Sequence, residues 1–150
     1  MKKTLFTILV PIIIISMLIL TQWWYVLPMD GPDALFWGFP FAFIGEGFHT
    51  SMSFQLFLVD LCTDILCYTI FWLIVFLIIK KKWPTFTISK WMYRIVWTLA
   101  IVLVLSSSFI VSISEPIFKM KRNYDWQIMT TGYKFIWQST PRPDINKFHP

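Results

Sequence analysis

Charged residues are scarce in this chain. Asp, Glu, Lys and Arg make up 14% of its 150 residues, whereas an average soluble domain has about 25%. Apolar residues reach 57%, and Phe, Trp and Tyr alone account for 19%. This composition excludes intrinsic disorder and disfavours a soluble globular domain. It is typical of an integral membrane protein, whose lipid-facing surface is apolar and whose Trp and Tyr side chains collect at the membrane interface.

The chain is also poor in the residues that build common catalytic and cofactor motifs. Its five glycines form no G-x-S-x-G elbow, and Gly45 and Gly47 lack the strand and helix context of a dinucleotide fingerprint. The two histidines form no H-E-x-x-H motif. Cys62 and Cys67 lie five residues apart, on separated faces of one predicted helix, so they cannot pair within it. We therefore expect no cofactor, and we disfavour an enzyme.

Three long apolar segments predict three transmembrane helices. The first, residues 5–26, has no small-residue cleavage pattern after it and is interpreted as an uncleaved signal anchor. Pro11 should kink this helix, which a bilayer tolerates when a neighbour satisfies the freed carbonyl. The others are residues 56–79 and 95–113. The second span would extend about 36 Å, enough to cross a hydrocarbon core of about 30 Å.

Basic residues predict the orientation of these helices, because Lys and Arg are retained on the cytoplasmic side. The segment from Thr21 to Ser53 contains none. We expect a cytoplasmic amino terminus, an extracytoplasmic carboxyl terminus and, from the short Met-Lys-Lys start, a bacterial inner membrane. The excess of positive charge is assigned to this role and not to nucleic acid. Headgroup anchoring is assigned to Lys80, Lys81, Lys82, Lys90 and Arg94, with Lys2 and Lys3 on the same side.

The first external loop contains an apolar stretch, residues 34–45, that is interrupted by Gly and Pro. Twelve residues are too few to span a bilayer. We expect an aromatic loop that lies on the headgroups, and the alternative is a loop that lines a groove for a substrate or partner.

The carboxyl-terminal tail, residues 117–150, is more polar. Polar and apolar residues alternate over 124–129 and 133–138, on either side of Gly132. This pattern predicts a small β-hairpin, which must pack on another surface because an isolated hairpin is only marginally stable. The sequence thus predicts an all-α integral membrane protein: a three-helix transmembrane domain at 1–116 with an aromatic external loop, followed by an extracytoplasmic hairpin tail.

Two acidic residues fall inside the second predicted span. Asp60 and Asp64 are separated by four positions and so share one helix face. A charged side chain in a bilayer is costly and requires a partner, a proton or a water path. Serines in the outer half of the third span lie at about the same depth and are expected to meet the acids. The predicted polar cluster contains Asp60, Thr63, Asp64, Ser106, Ser107, Ser108 and Ser112.

This cluster has three interpretations. Its members could form interhelical hydrogen bonds, with Ser108 and Ser112 in a small-xxx-small spacing that lets helices approach closely. The acids could instead move ions or protons, or bind a cationic group. They could also contact a basic residue of another subunit.

Two further polar residues precede the second span. Glu46 and His49 could approach Asp60 at the outer surface and supply oxygen and nitrogen ligands to a divalent metal. The spacing matches no metal motif, so we interpret them as loop polar groups and predict no metal site.

The leading functional hypothesis is a non-catalytic subunit or assembly factor of a larger membrane complex. Exposed aromatic residues are the kind of surface that partners cover, so we expect a membrane-protein partner or a homo-oligomer in the lipid bilayer. One alternative is an ion- or proton-coupled transport component that uses Asp60 and Asp64. Another is a membrane-embedded enzyme that acts on a lipid or envelope precursor.

Overall fold

The computed structural model describes residues 2–29, 31–48, 53–83, 89–140 and 142–143, with side chains described from Thr7 onward. Within these ranges the chain forms three helices and one sheet of six strands. The elements in chain order are α1 (Lys2–Ile19), β1 (Leu20–Pro28), β2 (Ala34–Trp37), β3 (Ile44–Glu46), β4 (Ser53–Phe57), α2 (Leu58–Lys82), α3 (Lys90–Ile113), β5 (Glu115–Lys119) and β6 (Trp126–Phe135).

The all-α prediction is therefore wrong. The six strands form one mixed sheet in the order β5-β4-β3-β2-β1-β6. The pair β4 and β5 is parallel, and every other neighbouring pair is antiparallel. The architecture is a helical layer joined to a sheet, because β1 and β5 follow a helix, and β4 precedes one, almost without a linker.

The first predicted span is also wrong beyond Ile19, where α1 ends and β1 begins. The segment Thr21–Val26 is rich in aromatic residues, which suit a pleated surface at least as well as a helix. Strand β1 pairs with a neighbour on each side, so its backbone groups are satisfied in the sheet. Among the described residues only α2 and α3 are long and apolar enough to cross a membrane; α1 contributes a shorter apolar helix, Thr7–Ile19.

The apolar stretch at 34–45 does not form the predicted headgroup loop. It supplies β2, a turn and β3, and Phe36 is completely buried. The Phe36 ring covers Gly45 so closely that an added Cβ would overlap it, and glycine is required there for this contact. Aromatic residues that hydropathy assigns to the membrane are thus used in the core of the sheet.

The predicted hairpin is wrong as well, because Trp126–Phe135 is one continuous strand. It pairs with β1 along its length, with one irregularity between Tyr25 and Val26. Gly132 marks no turn; an added Cβ there would lie 2.7 Å from the Trp23 ring. The glycine at position 132 thus allows the backbone of β6 to approach the indole of Trp23, and it does not mark the predicted turn.

One face of the sheet buries Val26, Ala34, Phe36 and Phe57 in a single cluster. Tyr124, between β5 and β6, and Trp126, the first residue of β6, cover this face, and the Trp126 ring lies edge-on to Phe36 at 4.8 Å between centroids.

A polar contact joins the same covering segment to the sheet. The Tyr124 hydroxyl donates to Oε1 of buried Gln55 at 3.4 Å, and Lys119 Nζ donates to the same oxygen at 3.1 Å. Burial raises the pKa of Tyr124 to about 12, against an opposing effect of the Arg122 charge. The phenol therefore stays a donor across the neutral pH range.

The opposite face buries Trp23, Tyr25 and Leu35. The carboxyl-terminal segment crosses it, because Thr140 Oγ1 accepts hydrogen bonds from Trp37 Nε1 at 3.0 Å and from Lys134 Nζ. Burial lowers the pKa of Lys134, whose ammonium lies 5.3 Å from the centre of the Trp37 ring. The sheet is thus covered on both faces by its own chain.

Helix α1 packs against both α2 and α3, and each of these helices donates an indole N–H to it. Trp72 Nε1 donates to Ser16 Oγ at 3.0 Å, and Trp97 Nε1 donates to the Thr7 carbonyl at 3.0 Å. Pro11 has no N–H to donate to that carbonyl, four positions earlier in the helix. Trp97 supplies the donor that Pro11 cannot, which fits the sequence-based expectation for a proline inside this helix.

The substitution Trp97→Phe should destabilise the fold by about 1–3 kcal/mol, because the Thr7 carbonyl loses this donor in an apolar setting. In a Pro11→Ala background residue 11 regains an N–H, so the same substitution should cost less. Thermal unfolding of the four proteins in one detergent measures this difference as a double-mutant cycle. Equal costs in both backgrounds would contradict the assignment.

Candidate functional site

The side chain of Asp64 joins the helical layer to the sheet. It projects from α2, is completely buried, and accepts the backbone N–H of Phe41 through Oδ1 at 2.9 Å. Phe41 belongs to the turn between β2 and β3, which lies 23 positions earlier in the chain. A carboxylate that accepts a backbone N–H forms a charge-assisted bond, stronger than a bond between neutral groups.

The turn itself is fixed to the sheet at several points. Gly38 has a φ of 146°, and an added Cβ would overlap the Phe41 carbonyl oxygen, so only glycine fits. Gly38 N donates to the Gln22 carbonyl, and Trp24 Nε1 donates to the Gly38 carbonyl, both at 3.0 Å. The Phe39–Pro40 peptide is cis. The sheet and Asp64 therefore define the position of this turn from two sides.

The other carboxylate oxygen of Asp64 has a different environment. Oδ2 is buried and has no hydrogen-bond partner within the described residues. Burying a polar atom without a hydrogen-bond partner lowers the stability of the fold. The strong hydrogen bond at Oδ1 therefore stabilises the fold, while the burial of Oδ2 opposes it.

An apolar groove lies between α1 and α2, next to this turn, with a volume of about 740 Å³. Ile15 and Ile19 form the wall on α1, and Phe71 and Trp72 form the wall on α2. The hydrogen bond from Trp72 Nε1 to Ser16 Oγ joins the two walls. The groove is therefore a gap that the helices leave while remaining in contact.

Side chains of the sheet and of its β2–β3 turn line the groove where it meets the sheet. Phe39 and Pro40 of the β2–β3 turn line it together with Tyr133 of β6. The Phe39 ring lies edge-on to Tyr133 at 5.7 Å and to Tyr68 at 6.5 Å between centroids. We call the surface formed by Phe39, Pro40 and Tyr133 the aromatic roof, after its two aromatic side chains. Asp64 holds the turn that carries two of its three members.

A second polar cluster lies on the sheet, away from the groove. Asp33 Oδ2 accepts from the Tyr25 hydroxyl at 3.0 Å and pairs with Arg142 Nη2 at 3.1 Å. Glu46 Oε2 accepts from Leu35 N at 3.0 Å and lies 3.5 Å from the same guanidinium nitrogen. Arg142 is more than half exposed, so these bonds hold the carboxyl-terminal segment on the sheet without enclosing a reactive site.

The hydroxyls of Thr63, Ser106 and Ser112 in the predicted polar cluster form hydrogen bonds within single helices. Ser106 donates to the Leu103 carbonyl, Ser112 to the Ser108 carbonyl and Thr63 to the Val59 carbonyl, each within its own helix. Ser106, Ser108 and Ser112 are exposed, and Ser107 and Asp60 are partly buried. In the part of the chain that the structure covers, no hydrogen bond links these serines to either acid.

The remaining predicted residues have varied surroundings. Glu46 takes part in the Arg142 cluster, whereas His49 lies outside the described residues. Over the described ranges no three His, Cys, Asp or Glu side chains gather in a way that could hold a metal ion. The basic residues assigned to anchoring are exposed at the end of α2 and the start of α3; they are Lys80, Lys81, Lys82, Lys90 and Arg94.

Sequence analysis gave a groove-lining loop at 34–45 only as the alternative, and it identified neither the helices that form the groove nor Tyr133. The local signal was present, because Gly38 and Pro40 punctuate the apolar stretch and mark a turn. The contact from that turn to Asp64 has no local signal. The same holds for Asp33 and Arg142, which are 109 positions apart in the chain.

Comparison with protein-family models, with curated proteins and with solved structures finds no match. The chemistry of the site therefore has to be inferred from its own residues. Those residues provide an apolar groove and a turn held by a buried acid. Such a site suits binding and packing.

Replacing Asp64 should reveal a structural role for its carboxyl group. Asp64→Asn keeps an acceptor for Phe41 N–H and should change stability by less than about 1 kcal/mol, whereas Asp64→Leu removes it and should cost about 1–3 kcal/mol. Unfolding in detergent measures both. Asp60→Asn and Asp60→Leu are matched controls and should have little effect. An Asp64→Leu protein as stable as the unmodified chain would contradict this role.

Proposed function

We propose that this chain is a multi-pass protein of the cytoplasmic membrane and a non-catalytic component of a larger membrane complex. Helices α2 and α3 have 25 and 24 residues, which at 1.5 Å per residue exceeds a hydrocarbon core of about 30 Å. Only 11% and 6% of their most apolar stretches are buried within the chain. A helix in the core of a soluble protein is mostly buried, so these exposed apolar faces support a lipid environment.

The positions of charged residues support one orientation. The basic residues at the end of α2 and the start of α3 belong on the cytoplasmic side, with Trp83 and Trp91 at the interface. The sheet then lies on the extracytoplasmic side. In this arrangement Asp64 belongs to the part of α2 that is nearest the sheet, where the β2–β3 turn covers it.

The exposure of Ser108 and Ser112 is the observation that carries the proposed role. These residues are one helical turn apart on α3, and neither is covered by the chain. Ala100 is the one residue of α3 that is buried. Small residues at this spacing let a second helix approach the backbone closely. The surface of α3 around Ser108 and Ser112, which we call the serine face, is therefore available to a helix of another subunit.

The ion-coupled alternative has less support. Oδ1 of Asp64 is already bonded to the Phe41 backbone, and Ser106 and Ser112 donate within their own helix. These contacts engage three of the polar groups that could serve a path for ions or protons.

Bulky side chains on the serine face should displace the partner. Ser108→Leu and Ser112→Leu are expected to abolish co-purification of a stoichiometric partner, or to convert a homo-oligomer to a monomer. Size-exclusion chromatography and mass spectrometry in mild detergent measure both. Ser106→Leu is the matched control, because Ser106 is also exposed on α3 but lies on another face. A monomeric, partner-free unmodified chain would contradict the proposal, as would equal loss in the Ser106 variant.

Reporter fusions test the proposed membrane orientation separately. The reporter is an enzyme that is active only outside the cytoplasm. We expect it to be active when it is inserted at exposed Pro32, before β2, and when it is fused after Pro150. A fusion within the basic loop between α2 and α3 should give the opposite signal. A cytoplasmic signal at Pro32 would overturn the orientation.

A further inference from the structure

The apolar groove between α1 and α2 is not filled by any of the residues that the structure describes. Its volume of about 740 Å³ falls within the range of ligand-binding pockets, roughly 300–1,000 Å³. Two helices and the aromatic roof bound it, and Asp64 fixes the turn that forms the roof. An apolar groove of this volume is large enough to hold a ligand.

The polar groups around the groove restrict the chemistry of that occupant. The Ser16 hydroxyl donates to the Ile12 carbonyl at 2.7 Å and accepts from Trp72 Nε1, so its donor is already used. Two phenols, those of Tyr68 and Tyr133, are the other polar side-chain groups, apart from the indole of Trp72 and the weakly polar thiol of Cys67. None of the described residues that line the groove is charged. A charged or strongly polar ligand would lose its hydration there without compensation.

The shape of the groove restricts the occupant further. The aromatic roof lines the groove where it meets the sheet, so a partner helix about 10–12 Å wide that ran along α1 and α2 would meet Phe39 and Tyr133 there. A flexible hydrocarbon chain can end at such a wall. Phe71 both lines the groove and is 57% exposed, and its neighbours Ile70 and Ile74 on α2 are 50% and 52% exposed. The groove is therefore continuous with the apolar surface of α2.

We propose that this groove binds one acyl chain of a membrane phospholipid, with the chain inserted between α1 and α2 and stopped by the aromatic roof. The inference rests on the bilayer placement of α2 under the proposed function, but not on the partner at the serine face. The binding would be to hydrocarbon alone, since no charged side chain of the groove is available to a headgroup.

Photo-crosslinking tests this site. The full-length protein is reconstituted in phosphatidylcholine vesicles that contain a phosphatidylcholine with a diazirine in the middle of one acyl chain, and adducts are mapped by mass spectrometry. Adducts at Ile15, Cys67 and Phe71 should exceed those at Val102 and Ile110, which lie away from the serine face of α3, by about fivefold and should saturate as the probe fraction rises. The α3 positions report contact with bulk lipid.

Larger side chains that fill the groove should remove the excess of groove labelling over α3 labelling. Ile19→Trp on α1 and, independently, Cys67→Phe on α2 should lower groove labelling to the level of α3. Ile74→Trp is the matched control, because Ile74 is exposed on α2 but does not line the groove. Groove labelling that equals α3 labelling and rises linearly with probe would overturn the acyl-chain site and leave the proposed function intact. An absence of adducts on both α2 and α3 would overturn the bilayer placement and the site together.

Discussion

The hydrogen bond from the Phe41 backbone to the Asp64 carboxylate is the contact on which the arrangement of helices and sheet depends. The chain passes directly from α1 into β1 and from β4 into α2, and with one intervening residue from α3 into β5. These covalent junctions attach the strands to the helices at their ends. The β2–β3 turn has no such junction, and the Asp64 carboxylate supplies its hydrogen bond to α2, beside the edge-on contact between Phe39 and Tyr68. Without that bond, the turn that carries Phe39 and Pro40 would be held mainly by the sheet.

A second constraint lies in the first fifth of the chain, where α1 continues into β1. Helix α1 packs against both other helices, and β1 pairs with β2 and β6, so one continuous segment is central to both layers. The requirement that backbone groups be satisfied explains two of its contacts. Trp97 donates to the Thr7 carbonyl, which Pro11 cannot reach with an N–H of its own. Strands β2 and β6 form hydrogen bonds with the backbone groups of β1. The aromatic residues of this protein thus supply hydrogen bonds as well as apolar area.

The sequence was informative where the structure is local and periodic. The apolar runs at 56–79 and 95–113 overlap α2 and α3 closely, because a long hydrophobic helix is recognisable from composition alone. Hydropathy did not predict the strands, because Trp, Phe and Ile have the same hydropathy whether they face lipid or the core of a sheet. Gly132 was taken for a turn, whereas it accommodates the Trp23 ring. The cost of burying Asp64 was recognisable, but its partner at Phe41 could not be read without the pairing of β2 and β3.

Amide hydrogen exchange tests the central claim most directly. In the unmodified protein the peptide that covers residues 38–43 should exchange slowly, and in Asp64→Leu it should exchange about tenfold faster, while the amides of β1 keep their protection. Asp64→Asn should behave like the unmodified protein. An unchanged exchange rate at 38–43 in Asp64→Leu would contradict the claim that this carboxyl group holds the turn on the helix.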